Sequence, residues 1–202
     1  MPQLNTPDFL SQNAQDFFNI GKKRTKEIFA NKPLENPFLW YHVSAPAVNL
    51  AFALELMIKA ILLIENRELR KEDKIHALKE LFLKISSDAK NEIIKILDSL
   101  DINKHKYPAL MFSIEEYPQK KTQTQEIKTT EEIIIELLTT HDNSFISWRY
   151  SFELSEINSK IENIEFDFGK MIRFIEATSI YLQKILIEYF KETDPINSHT
   201  LP

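Results

Sequence analysis

Glu55 and Lys59 stand four residues apart with the acid first, the favoured order for an ion pair along one helix face. On an exposed helix such a pair contributes roughly 0.2–0.5 kcal/mol. Here the neighbours from Val43 to Ile64 are apolar on almost every side. Both charges must therefore find partners or bear a heavy desolvation cost. Two later segments supply candidate partners: His76-Ala77-Leu78-Lys79-Glu80-Leu81, and the run from His141 to Glu153, which holds Asn143, Arg149 and Glu153. Arg149 and Glu153 repeat the four-residue spacing beside an aromatic stripe of Phe145, Trp148 and Phe152, a stripe of the kind that fills a core. Lys59, His76 and Arg149 brought together would bind a phosphate or nucleotide. Glu55 and Glu153 would orient and neutralise them, with Asn143 as a further polar contact. The same charges would equally serve to set helix register and interhelical pairing, so a ligand site and a structural cluster both stand as readings. His76 and His141 each read as readily as helix-boundary histidines as functional ones.

Other chemistries are excluded by specific absences. The two glycines, Gly21 and Gly169, build neither a phosphate-binding loop nor a dinucleotide fingerprint. There is no Gly-x-Ser-x-Gly elbow, and the histidines at 42, 76, 105, 141 and 199 have no zinc-ligand spacing, so neither metal nor cofactor is expected. Without cysteine there is no disulfide framework or thiolate chemistry. The net charge of −5 argues against broad attraction to nucleic acid and leaves only a local basic patch as a route to it.

The elements that would position these residues read as helices. So few glycines disfavour tight hairpin turns and with them sheet-rich folds. Thr6-Pro7-Asp8 starts a first helix, and Ser44 with Pro46 opens a second that is apolar nearly all round. A third carries Ile75, Leu78, Phe82 and Ile85, and Ser87-Asp88 caps a fourth. Residues 101–128, with Pro108, Pro118 and a polar run, form an excursion from the bundle in which Leu110, Met111 and Phe112 call for burial. Thr129 to Glu132 has the form of a capping box, a further helix carries Phe145 and Trp148, and a last long helix runs from about Asp167 to Lys191, roughly 36 Å. The expectation is one all-α domain over residues 1–202, with its core at about 7–191 and a frayed tail at 192–202. Val43–Ile64 invites confusion with a membrane span, but Asn49, Glu55 and Lys59 make it a buried core helix. The opening Met1-Pro2-Gln3-Leu4-Asn5 lacks the pattern of a signal peptide, so a cytoplasmic location is expected.

An acid–lysine pair in an apolar second helix, then His-x-Leu-x-x-Leu, then Phe-x-x-Trp-Arg-Tyr-x-x-Glu, resembles small bacterial HEPN (higher eukaryotes and prokaryotes nucleotide-binding) proteins. The likeness spans roughly residues 7–190 apart from the excursion. It implies an up-and-down helical bundle with additional helices, commonly a homodimer. The family includes metal-independent ribonucleases of toxin–antitoxin and antiviral defence systems, and members that only bind nucleotide or a partner, such as an antitoxin nucleotidyltransferase. Nuclease members carry an arginine, four to six residues, then a histidine near the start of a late helix. Here Arg149 is followed by no histidine before His199, and Arg70 to His76 fits the spacing in the wrong part of the fold. The resemblance thus implies nucleotide or RNA binding more strongly than cleavage. If the chain is an enzyme it would be an endoribonuclease, with His76 and Arg149 (or Arg70) as its catalytic residues. A non-catalytic helical interaction module, its polar cluster purely structural, is the alternative.

Overall fold

Pro7 opens helix α1 (Pro7–Asn31) and Asp8 sits in its first turn, as the opening residues predict. The computed structural model describes residues 6–31, 40–66, 68–69, 76–113, 128–142 and 163–193. α1 buries Leu10, Ala14, Phe18 and Ile28, spaced to lie along one face. That face packs on α2 (Trp40–Asn66), which runs antiparallel to it: Phe17 meets Phe52 edge-on at 4.7 Å, and Gly21 lies against Leu50. A Cβ on Gly21 would sit 2.9 Å from the Leu50 side chain, so this glycine serves close helix packing rather than a turn.

α2 begins earlier than Ser44-Pro46 predicts and carries Pro46 inside it. Proline gives no N–H to the carbonyl four residues back, and that residue, His42, is exposed in the first turn of the helix. From Val43 to Leu63 the helix is buried on most sides. It is long and apolar enough to cross a membrane, yet 67% of its apolar window is buried in the bundle, as a central helix requires.

α3 (Leu78–Lys84) starts at Leu78, so His76 precedes the helix. Ala77, at its N-cap, offers no side-chain acceptor; Asp142 instead accepts the Lys79 N–H at 2.8 Å. α4 (Ser87–Leu100) is capped by Ser86, one residue before the predicted cap, and buries Ala89, Ile93 and Leu97. α5 (Thr130–Thr140) has the predicted capping box. The Thr129 N–H and hydroxyl both bond Glu132, holding its carboxyl below the usual range.

The described residues are mostly helical, as the all-α expectation has it, with one small two-stranded sheet besides. Within the 101–128 excursion, β1 (Ala109–Ser113) pairs antiparallel with β2 (Asn163–Asp167), Ala109 facing Asp167 and Ser113 facing Asn163. Pro108 disfavours helical backbone at Tyr107 before it, and the Leu110–Phe112 run suits a strand once a partner lies beside it. β2 leads straight into α6 (Phe168–Thr193), whose N-cap is Asp167: its Oδ1 accepts the Lys170 N–H at 2.9 Å. α6 buries Phe168, Met171, Ile172, Ile175 and Leu182 as predicted, while Ile185 and Tyr189 are half-buried. Phe82 of α3 meets Phe174 of α6 at 5.5 Å, which closes the core between α2, α4 and α6.

Candidate functional site

Glu55 is 2% exposed in the middle of α2, where an unpartnered carboxylate would be severely penalised. Among the described residues it has two partners. One helical turn on, Lys59 places Nζ 2.8 Å from Glu55 Oε1. From the segment before α3, His76 brings Nδ1 to 3.0 Å from Oε1 and 3.1 Å from Oε2. Two of the three chemistry-bearing segments therefore meet at one carboxylate, as the sequence predicts. Lys59 is 12% exposed at its side chain and His76 51%, so the cluster grades from dry to wet over three residues.

A carboxylate accepts only, so His76 donates through Nδ1, and the lone pair of its neutral form lies on Nε2. This arrangement lets a half-exposed imidazole exchange protons or, when protonated, bind an anion while the carboxylate fixes its orientation. The Glu55 and Lys59 charges offset one another, so the contact the cluster offers an incoming anion is the half-exposed His76 ring.

The third segment begins at the same place. Asp142 clamps Lys79, three residues past His76. His141 beside it is 1% exposed, stacks on Phe166 at 4.6 Å and accepts the Asp167 N–H through Nε2 at 3.2 Å. Burial pushes its pKa down to about 4, opposed by the Asp167 charge and aided by that of Lys170. His141 thus links the end of α5 to β2 as a buried ring, at the helix boundary. Arg149, Asn143 and Glu153 lie outside the described residues, as do Arg70, Phe145, Trp148 and Phe152.

A second concentration of charge was not singled out from the sequence. A cleft of about 1070 Å³ lies between α1, the 102–107 loop and the start of α6. Among the described residues, six cationic side chains line it (Lys22, Lys23, Lys26, Lys104, Lys106 and Arg173) against one carboxylate, Glu176. The signal was two short basic runs, 22–26 and 104–106, in an otherwise acidic chain. None of the cleft residues belongs to the Glu55 cluster.

Comparison of the chain with protein-family models, with curated proteins and with solved structures finds no match.

Proposed function

We propose that the protein is a HEPN-like helical bundle that binds a nucleotide or RNA at the Glu55–Lys59–His76 cluster. The setting we propose is a cytoplasmic bacterial defence or toxin–antitoxin system, with a homodimer as the working form and a nucleotidyltransferase as a candidate partner. The observation that carries this reading is the single buried carboxylate holding both a lysine and a half-exposed histidine. Register alone would be served by the Glu55–Lys59 pair. A histidine drawn from a separate segment and left half in water adds little to packing but provides an anion contact and a proton site.

The test is thermal unfolding with a panel of nucleoside mono-, di- and triphosphates. A ligand at one hundred times its Kd raises stability by about 2.7 kcal/mol. The shift is expected in the wild type and lost in both His76→Ala and Lys59→Met, each measured against its own ligand-free form. No shift at millimolar nucleotide would leave the structural reading in its place.

A catalytic second reading rests on the same Glu55–His76 hydrogen bond, which would orient His76 to take the proton of an RNA 2′-hydroxyl as that oxygen attacks the adjacent phosphorus and the 5′-oxygen leaves. Total RNA incubated with protein in excess chelator tests it. Cleavage must appear and must vanish in both His76→Ala and Arg149→Ala; cleavage that persists in these variants removes the assignment.

A further inference from the structure

The cleft between α1 and α6 has an architecture that core packing does not require. Gly169, in the first turn of α6, lets the 102–107 loop press against the helix: a Cβ there would lie 1.9 Å from His105 Nδ1. That nitrogen donates to the Tyr107 carbonyl at 2.8 Å, which fixes the ring and turns the Lys104–Tyr107 backbone along the cleft wall. Arg173 tethers the same loop by donating to the Lys104 carbonyl at 3.0 Å. Opposite, Lys22 of α1 bonds Glu176 at 2.7 Å, and Arg173 bonds the other oxygen of that carboxylate at 3.0 Å. Glu176, the one acid among the described residues of the cleft, is therefore taken up in holding its two walls together.

What remains is unbalanced positive charge. Lys26 and Lys104 are exposed and make no ion pair among the described residues, while Lys106 lies over the Tyr107 ring at 5.7 Å without a carboxylate partner. Charge repulsion alone would disfavour gathering these cations in a chain of net charge −5, where carboxylates abound. The cations are strung out rather than convergent: Lys22 and Lys26 are separated by one helical turn, about 6 Å of rise, with Lys104 and Lys106 on the facing wall. A single small anion would be met by only part of such a row. Two amides, Asn19 and Asn103, and the Tyr107 ring lie among the cations. Cations in a trough interleaved with an aromatic face and amides suit a strand whose phosphates repeat and whose bases are unpaired.

We propose that this cleft binds single-stranded nucleic acid by its phosphodiester backbone. The inference uses different residues from the Glu55 site and holds or fails separately from it.

The probe is a fluorescein-labelled 12-nucleotide oligouridylate, followed by anisotropy with the full-length chain. Neutralising about three phosphates weakens single-strand binding close to 20-fold between 50 and 200 mM salt. The paired reversal Lys26→Glu with Lys104→Glu is expected to weaken binding at least 10-fold, and adding Lys106→Glu to abolish it. All three positions are exposed, and unchanged circular dichroism would confirm that the variants fold. A charge reversal outside both sites, Lys191→Glu on the exposed last turn of α6, should bind the oligonucleotide like the wild type. A change below 2-fold in the double reversal overturns the proposal. So does equal competition by polyglutamate at matched charge, which would make the cleft a generic acidic-peptide site, or by a nucleoside triphosphate at equal molarity, which would make it a mononucleotide site.

Discussion

The Glu55 cluster and the α1–α6 cleft place charge in opposite ways. In the first, a lysine and a histidine from two segments share one buried carboxylate, and the Glu55 and Lys59 charges offset one another. In the second, among the described residues, six cations from three segments surround one carboxylate in the open, and the excess remains. Buried charge must be balanced or the fold suffers, whereas exposed charge costs the fold little and is available for attraction at a distance. Substitution should therefore hit stability hard in the cluster and barely in the cleft.

The sharpest break between the two is Glu55→Ala. It strands the 12%-exposed Lys59 in an apolar helix, and a loss of about 3 kcal/mol is expected in chemical denaturation. Replacing Glu55 and Lys59 together by leucine should recover most of that loss, because no stranded charge remains. A single-variant loss below about 1 kcal/mol would mean that the pair is effectively solvated.

Acid should expose the next largest effect, at His141. Its folded pKa, about 4, is below the unfolded value of 6.5, so below pH 6.5 the unfolded chain takes up the proton first. The stability contributed by the neutral ring is fully present above pH 6.5. It is lost as pH falls through about 4, a change on the order of 3 kcal/mol. His141→Gln should flatten this part of the stability profile relative to wild type. A wild-type profile no steeper than that of the variant between pH 4 and 6.5 would contradict a buried neutral ring.

Gly169→Ala lies between the two regimes, since it tests packing and the cleft at once. Displacing His105 from α6 is expected to cost about 1–2 kcal/mol and to weaken oligonucleotide binding through the moved Lys104 and Lys106. Smallest in stability is the Lys26→Glu, Lys104→Glu pair, where a change within about 0.5 kcal/mol is expected, as for exposed sites generally. A large loss of stability there would show that the cations are structural after all.

The difference also explains what could be read from residue order alone. Glu55 and Lys59 were legible because one helix sets their spacing and their apolar neighbours make any charge conspicuous. The helices were legible from apolar periodicity and from caps such as Thr129–Glu132, although their starts shifted where a distant group supplied the cap, as Asp142 does for α3. The β1–β2 ladder was not legible, because its partners are separated by about fifty residues and neither strand shows a hairpin turn beside it. The roles of both glycines were hidden for a related reason. Neither has positive φ; each is needed by a neighbour that only the folded chain brings close, Leu50 in one case and His105 in the other. The cleft combined these difficulties, with basic runs that look like solvated helix faces until the 102–107 loop folds against α6.

Thermal unfolding of the wild type and of His76→Ala, each with the nucleotide panel, bears most directly on the Glu55 cluster as a ligand site. A rise in Tm is expected for the wild type with at least one nucleotide, and none for the variant. Equal rises in the two proteins, or none in the wild type at millimolar ligand, would mean that Glu55 holds His76 for the sake of the fold alone.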